Sequence, residues 1–320
     1  MYGGGKMPND PRILMVKLSA MGDIIHALPA AASLKSGFPS CHLAWLVKSK
    51  WAPLLEGNPY VDEVIPFDRA SLSSLLETRR RLRALRFDMA IDFQGLIQSA
   101  LIARSAGASR TWGFGESAVR EQLAVWFYSD RAAKNHPHVV DQYLDLAVAA
   151  GAKRCVEFPL PGGRPEGRLP GGPFVLASPY AGWGAKQWPL AHYAKIAAML
   201  KVPLVLNGPP GMPKVKGTRE HISGLPGLID ATRRATAVIG VDSGPLHLAA
   251  ALKKPGVAIF GPTDPVRNGP YGGSFVVLRA PDAQTSYKRA TEAASMHAIS
   301  PESVFESLCV ISSQNLTPIS

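Results

Sequence analysis

Short apolar runs alternate with segments of helical periodicity along most of the chain, and this alternation constrains the fold more than any other feature. Such alternation is typical of βαβ units, in which crossover helices join parallel strands. The sequence therefore predicts an α/β protein. The predicted strands are 13–18, 42–47, 61–67, 89–93, 110–113, 174–178, 204–207, 237–241, 257–261 and 275–278, and the predicted helices are 23–36, 71–85, 96–105, 139–150, 190–200 and 246–252.

The alternation stops between residues 151 and 173, where glycine and proline dominate. Proline cannot continue a helix or a central strand, so this stretch is typical of a linker. We predict two doubly wound, Rossmann-like domains that face each other across a cleft. A last helix should begin near Ser300, a favoured N-cap residue; whether it packs back on the first domain is left open. The predicted bounds are 11–155 and 174–299 for the domains, 156–173 for the linker and 300–312 for the last helix.

Composition narrows the class of protein further. A chain of 320 residues is long enough for two domains with sizeable cores. Its net charge of +11 favours anionic partners such as phosphorylated metabolites, anionic lipid or nucleic acid. Three widely spaced cysteines predict neither a disulfide framework nor a zinc site, which fits a reducing cytoplasm. The apolar stretch 13–32 contains Lys17, Asp23 and His26, so we expect neither a signal peptide nor a membrane span there.

The segment KLSAMGDIIH (17–26) predicts a strand end, a turn of small residues and a helix that begins at or beside Asp23. This arrangement would place Asp23 at the carboxyl edge of a parallel sheet, where doubly wound folds bind ligands. Asp is also a favoured N-cap residue, and the helix dipole stabilises a negative charge there. The spacing therefore leaves both helix capping and catalysis open, and capping is the more common of the two.

Two later turns have the composition of anion-binding sites. The segment SPYAGWGAKQWP (178–189) follows a predicted strand, and its small residues let the backbone approach a phosphate while Lys186 supplies a cation. The segment GVDSGPLHLAA (240–250) also leads from a strand into a helix start. A solvated surface loop and a structural histidine are the competing interpretations. The groups that converge in the second turn belong to Asp242, Ser243, Gly244 and His247.

Arginine is concentrated in and just after the predicted helix 71–85. Such a run is usually a solvated face, although arginine also binds phosphate with paired donors. No stacking aromatic residues are interleaved with it, so nucleic acid is not expected as a partner. The sequence also lacks D-x-D, H-E-x-x-H, G-x-G-x-x-G and P-loop motifs, so no metal or dinucleotide cofactor is expected. The arginines are Arg79, Arg80, Arg81, Arg83 and Arg86, with Arg69 ahead of them.

Several segments, in order, resemble the lipopolysaccharide heptosyltransferases. The resemblance implies a GT-B fold, with the acceptor in the first domain and the nucleotide sugar in the second. It also implies an inverting transfer of heptose from ADP-heptose that needs neither a metal nor a cofactor. The matching segments are KLSAMGDIIHALPA (17–30), IDFQGLIQSA (91–100), YAGWGAKQWP (180–189), GVDSGPLHLAAA (240–251), FGPTDP (260–265) and GPYG (269–272), while VREQLAVWFY (119–128) is most similar to heptosyltransferase I, which acts on Kdo-lipid A.

The resemblance also implies roles for individual residues. It makes Asp23 the general base and Lys186 the diphosphate-binding lysine. We take Arg69 and Arg120 as the candidate acceptor-binding residues. The implied location is the cytoplasm, and contact with the anionic face of the inner membrane is left open. Further donor contacts fall on Asp242, Ser243, Gly244 and His247.

Two positions depart from the family pattern. Ser243 replaces the usual threonine but keeps a hydroxyl group. Residues 206–212 (LNGPPGM) lack the acidic residue that commonly follows the glycine and contacts the nucleoside, so the base and the sugar of the donor remain open. The alternatives are a transferase for another nucleotide sugar or acceptor, a nucleotide-sugar epimerase of the same shape, and a non-catalytic binder of nucleic acid or of anionic membranes.

Overall fold

The computed structural model describes residues 8–68, 71–286 and 294–311. The chain divides into two compact units, Met1–Pro161 and Gly162–Ser320, and the boundary between them falls inside the predicted linker. The predicted acceptor residue Arg69 lies outside the described residues.

The first unit is an α/β unit built from the predicted elements, with boundaries shifted by one or two residues. Short 3-10 turns lie at Ser49–Leu55 and Gln122–Phe127. The strands are β1 (Arg12–Val16), β2 (His42–Val47), β3 (Glu63–Pro66), β4 (Met89–Asp92), β5 (Arg110–Phe114) and β6 (Asp130–Ala132), and the helices are α1 (Met21–Gly37), α2 (Leu72–Ala84), α3 (Ile97–Ser105) and α4 (Val139–Ala149).

The second unit follows the same plan. A 3-10 turn at Gly184–Lys186 precedes its first helix. The strands are β7 (Val175–Ser178), β8 (Leu204–Asn207), β9 (Thr218–His221), β10 (Ala237–Val241), β11 (Gly256–Phe260) and β12 (Phe275–Arg279). The helices are α5 (Leu190–Met199), α6 (Leu225–Arg234), α7 (Gly244–Ala251), α8 (Pro265–Asn268), α9 (Ala294–His297) and α10 (Pro301–Ile311).

Each unit contains one parallel six-stranded sheet of doubly wound topology, as predicted. The strand orders are β3-β2-β1-β4-β5-β6 and β12-β11-β10-β7-β8-β9. Counted along its own strands, each sheet therefore has the order 3-2-1-4-5-6, which is the Rossmann order. In both sheets the chain adds strands outward from the first strand, then returns to the middle and adds strands in the other direction.

The central strands are apolar on both faces because helices cover both sides of a parallel sheet. Ile13, Leu14, Met15 and Val16 of β1 are fully buried. On one face, Leu14 and Val16 join a core cluster with residues of α2 and α3. In the second unit, α10 packs on α5 and on β11 and β12. The sequence periodicity of these elements was therefore a reliable guide to burial.

Strands β6 and β9 and the ten-residue helix α6 were not predicted. Strands β6 and β9 are only three and four residues long, contain charged residues and lie at sheet edges, so they lack an apolar run. Helix α6 carries Pro226 and Gly227 in its first turn, which masked its helical pattern. Proline is tolerated there because the first N–H groups of a helix have no partner within the helix.

Among residues 8–68, 71–286 and 294–311, no helix combines the length and the apolar composition that crossing a bilayer requires.

Gly113 in β5 gives a direct test of packing in the first unit. A Cβ at this position would overlap the ring of Tyr128. Gly113→Ala should therefore lower the free energy of unfolding of this unit by about 1–3 kcal/mol, measured by urea denaturation. Gly115→Ala is the matched control, because its Cβ would lie 3.8 Å from the carbonyl oxygen of Ala132, an ordinary contact. Equal stability of the two variants would contradict this packing.

Candidate active site

The sequence motifs converge on one place in each sheet, the point where the strand order reverses. In the first sheet this point lies between β1 and β4, where Val16 pairs with Asp92. In the second sheet it lies between β7 and β10, where Ser178 pairs with Gly240. In open α/β sheets, the loops that follow such a strand pair diverge and leave a crevice, which is where ligands bind.

Asp23 lies in the first turn of α1, at the reversal point of the first sheet. The helix begins at Met21, so Ala20 rather than Asp23 occupies the N-cap position. The Asp23 carboxylate nevertheless accepts a hydrogen bond from the backbone N–H of Ala20, with an N–Oδ2 distance of 3.0 Å. Its side chain is 38% exposed. Asp23 therefore makes a hydrogen bond at the helix start and also has an accessible side chain. A structural role at the helix start and a catalytic role do not exclude each other.

The loop before Asp23 is held by polar residues that the sequence analysis did not assign to the site. The side-chain oxygen of Gln94 accepts hydrogen bonds from the backbone N–H groups of Leu18 and Ser19, at 3.1 and 3.3 Å. Gln94 follows β4, the neighbour of β1, and it is buried. The resemblance of segment 91–100 to the family pointed to this region, but single-sequence reasoning gave no role for its side chains.

Asp92 organises the turn that presents Gln94. Its Oδ1 accepts from the backbone N–H groups of Gln94 and Gly95, at 2.8 and 3.3 Å. Its Oδ2 accepts from the hydroxyls of Ser99 and Tyr128, at 2.8 and 2.7 Å. Burial raises the pKa of Asp92 despite these four hydrogen bonds, which act in the opposite direction. The hydrogen bonds of Asp92 therefore fix the turn. Asp92 itself is fully buried, so it cannot contact a substrate.

Arg120 lies next to this turn. The backbone N–H of Glu121 donates to the carbonyl of Gly95, and the Glu121 carboxylate accepts from the backbone N–H of Ile97, at 3.1 and 2.7 Å. Arg120 itself is exposed. These contacts bring its segment to the reversal point of the first sheet, although its role toward an acceptor stays a prediction.

The arginine run on α2 and just after it is exposed to solvent. Arg79, Arg80, Arg81, Arg83 and Arg86 are all exposed. The guanidinium of Arg81 donates to the Glu63 carboxylate at 3.0 Å, and that of Arg83 donates to the carbonyl of Ser105 at 3.2 Å.

The second unit brings Lys186, Asp242 and His247 together. The ammonium of Lys186 donates to Oδ2 of Asp242 at 2.6 Å, and Nε2 of His247 lies 3.5 Å from Oδ1 of the same carboxylate. Burial opposes ionisation of Asp242, but His247 and Lys186 outweigh it and hold the pKa of Asp242 well below its usual range. Asp242 is therefore a buried anion that orients a partly exposed cation.

The start of α7 supplies further polar groups beside this cluster. Ser243 is the N-cap residue, and Gly244 is the first residue of the helix. The hydroxyl of Ser243 is buried and has no hydrogen-bond partner among the described residues. In the same way, the buried hydroxyl of Thr263, in the loop after β11, lacks a partner within the described part of the chain. Thr263 was not predicted as a site residue.

The loop after β8 has an apolar rather than an acidic character. Asn207 contacts His221, with Oδ1 and Nδ1 3.0 Å apart. Tyr180 and Met212 pack so closely on Gly208 that no Cβ would fit there. Burial raises the pKa of the Tyr180 hydroxyl. Residues 207–212 contain no carboxylate.

Across the residues that the structure describes, no group of three or more His, Cys, Asp or Glu side chains is placed to hold a metal ion.

The ion pair of Asp242 predicts a pH-dependent stability of the second unit. Its pKa is depressed in the folded state, so the stabilisation should be present above about pH 4, the usual Asp value, and should fade as pH falls below it. Asp242→Asn should cost about 1.5–3 kcal/mol at pH 7 in urea unfolding, and clearly less at pH 3. The exposed Asp282, as Asp282→Asn, is the control and should change little at either pH. A cost for Asp242→Asn that does not vary with pH would contradict the ion pair.

Comparison with known proteins agrees with the motifs. Residues 75–203 and 223–298 match glycosyltransferase family 9 (heptosyltransferase). The chain is 30% identical over 299 residues to lipopolysaccharide heptosyltransferase 1 of Pseudomonas aeruginosa strain PAO1, covering 83% of each protein. It is 28% identical over 312 residues to lipopolysaccharide heptosyltransferase 1 of Escherichia coli K12, covering 84% of this chain and 94% of that protein.

Solved structures share the fold. The E. coli heptosyltransferase WaaC with ADP has a TM-score of 0.74 at 25% identity and covers 92% of this chain and 98% of its own. A family 9 glycosyltransferase from Veillonella parvula DSM 2008 has a TM-score of 0.77 at 23% identity, with coverage of 96% and 99%. The predicted GT-B fold is therefore confirmed. Because the family match extends over more than half of the residues, the chain belongs to glycosyltransferase family 9, the heptosyltransferases.

Proposed function

We propose that this chain transfers heptose from ADP-heptose to the Kdo-lipid A inner core of lipopolysaccharide, with inversion at the anomeric carbon and without a metal ion. The observation that carries the proposal is the Lys186–Asp242 ion pair at the reversal point of the second sheet, beside the start of α7. The names of the relatives, lipopolysaccharide heptosyltransferase 1 in two bacteria, support the substrate classes.

The second unit provides what a nucleoside diphosphate needs. A leaving diphosphate gains negative charge as the glycosidic bond breaks, and fixed donors stabilise that charge best. Lys186 offers an ammonium that Asp242 already orients, and the hydroxyl of Ser243 lacks a described partner. The backbone N–H of Gly244, at the start of α7, adds the positive end of a helix dipole. We therefore propose that these groups bind the diphosphate without a metal ion.

The first unit provides the base. In a one-step inversion, an acceptor hydroxyl attacks the anomeric carbon while the bond from that carbon to the diphosphate oxygen breaks on the opposite face. The carboxylate of Asp23 takes the hydroxyl proton, and ADP leaves with the bonding electrons. Asp23 suits this role because its side chain is accessible while one of its oxygens is held by the backbone N–H of Ala20.

The lipid-linked acceptor requires an approach to a membrane, and we propose peripheral contact with the cytoplasmic, anionic face of the inner membrane. The exposed side chains of the 3-10 turn Gln122–Phe127 support this proposal. Leu123 and Trp126 are 53% and 77% exposed, and three residues per turn place them on the same side. Tryptophan favours the membrane interface, and the exposed Arg120 precedes the turn. We call Leu123 and Trp126 the apolar edge.

Asp23→Asn tests the base. The amide keeps the side-chain oxygen that accepts from Ala20, so the fold should be retained, but it cannot take a proton. Turnover of ADP-heptose with Kdo-lipid A should fall by at least about 100-fold, measured as acceptor-dependent ADP release. Asp88→Asn is the matched control, because Asp88 also accepts a backbone N–H, that of Arg12, but lies before β4, at the amino edge of the sheet. Turnover of Asp23→Asn within about tenfold of wild type would make Asp23 a structural residue.

Replacement of the apolar edge tests the membrane contact. The double variant Leu123→Ser with Trp126→Ser should reduce co-sedimentation with phosphatidylglycerol vesicles by about tenfold or more, because two apolar side chains no longer enter the interface. The control is Val310→Ser on α10, which removes a similarly exposed apolar side chain. If both variants bind the vesicles as wild type does, the apolar edge does not contact the membrane.

A further inference from the structure

Lys17 is a buried lysine at the end of β1 that the proposed chemistry does not use. Lys17 as a whole residue is only 2% exposed. The ammonium donates to the backbone carbonyl of Phe93 at 3.2 Å and to the hydroxyl of Tyr143 at 2.7 Å. It thereby joins the ends of β1 and β4 to helix α4. A charged group at such a site requires a physical explanation, because burial of an ammonium is unfavourable.

The surroundings of Lys17 keep it charged. Burial by itself lowers the pKa of a lysine, but Asp23, Tyr143 and Asp92 act in the other direction, and together they raise the pKa of Lys17 above its ordinary value. The ammonium of Lys17 therefore lies beside the first turn of α1, with Nζ 4.0 Å from Oδ2 of Asp23.

One oxygen of Asp23 faces this cation. Its Oδ2 lies 4.0 Å from Nζ of Lys17 and also accepts from the backbone N–H of Ala20 at 3.0 Å. No described residue donates a hydrogen bond to Oδ1. The carboxylate is thus anchored through one oxygen, and the other oxygen is left for a substrate.

Packing alone does not account for a lysine here. The carbonyl of Phe93 and the hydroxyl of Tyr143 are neutral groups, and neither needs a full positive charge as its partner. A buried charge is often no more stabilising than an apolar residue of similar shape. The accessible carboxyl group near this ammonium is that of Asp23, whose Oδ2 lies 4.0 Å from Nζ of Lys17.

We propose that Lys17 is a positioning residue for the general base: its buried ammonium keeps Oδ2 of Asp23 turned toward the protein, so that Oδ1 is presented to the acceptor hydroxyl. This inference rests on the proposed function, in which Asp23 takes the acceptor proton. Lys17 acts through Asp23 and does not itself contact the substrate.

The test is a double-mutant cycle in the acceptor-dependent ADP-release assay. Lys17→Met removes the charge with little change in shape, and Lys17→Arg keeps a cation. Lys17→Met should lower kcat by at least about tenfold and change the acceptor KM by less than about threefold, and Lys17→Arg should recover part of the lost kcat. In the Asp23→Asn background, Lys17→Met should lower the residual rate by less than about twofold, because residues that act through one another are not additive.

Each outcome decides between the positioning role and a structural role. A full additional loss in the Asp23→Asn background, or a kcat of Lys17→Met within about twofold of wild type, would overturn the positioning role. If Lys17→Met does not fold, Lys17→Gln replaces it in the same cycle, because its amide can still donate to Phe93 and Tyr143. Near-wild-type turnover of Asp23→Asn alone would instead contradict the proposed base, so the two failures can be distinguished.

Discussion

The reversal of strand order in each sheet determines where chemistry can occur in this chain. The carboxyl ends of parallel strands lie at one edge of the sheet. At that edge, two neighbouring loops separate where one crossover leads to one side of the sheet and the other leads to the opposite side. In the first sheet this point lies between β1 and β4, and in the second between β7 and β10. The glycine-containing turns, the accessible Asp23 and the Lys186 cluster all lie at these two points. The candidate site residues are therefore far apart in sequence but lie at these two places in the fold.

A lysine and an aspartate lie at both points, with opposite exposure. In the first unit the side chain of Lys17 is 3% exposed and that of Asp23 is 38% exposed. In the second unit the side chain of Asp242 is 7% exposed and that of Lys186 is 20% exposed. The first pair thus presents a carboxylate to solvent and the second presents a cation. A carboxylate suits removal of a proton from a sugar hydroxyl, and a cation suits a departing diphosphate. The buried partner in each pair orients the exposed one.

Much of the fold could be predicted because buried strands are runs of apolar residues in the sequence. The central strands β2, β8 and β10 have the predicted bounds. The edge strands β6 and β9 could not be predicted, since pairing with one neighbour needs no apolar run. The positions of Asp23 and Lys186 at strand-to-helix turns also followed from pattern. The burial of Lys17 and the hydrogen bonds of Asp92 did not, because they depend on Tyr143 and Tyr128, which are far away in sequence.

The central claim is that this chain moves heptose from ADP-heptose to Kdo-lipid A. The most direct test is to incubate the full chain with ADP-, UDP- and GDP-sugars, each with and without Kdo-lipid A. The release of nucleotide and the sugar products are then measured. The account predicts rapid release of ADP from ADP-heptose only when Kdo-lipid A is present, with one heptose added to the acceptor. Conversion of a nucleotide sugar without an acceptor would indicate an epimerase, and the absence of turnover with every donor would indicate a binding protein. Either result would contradict the account.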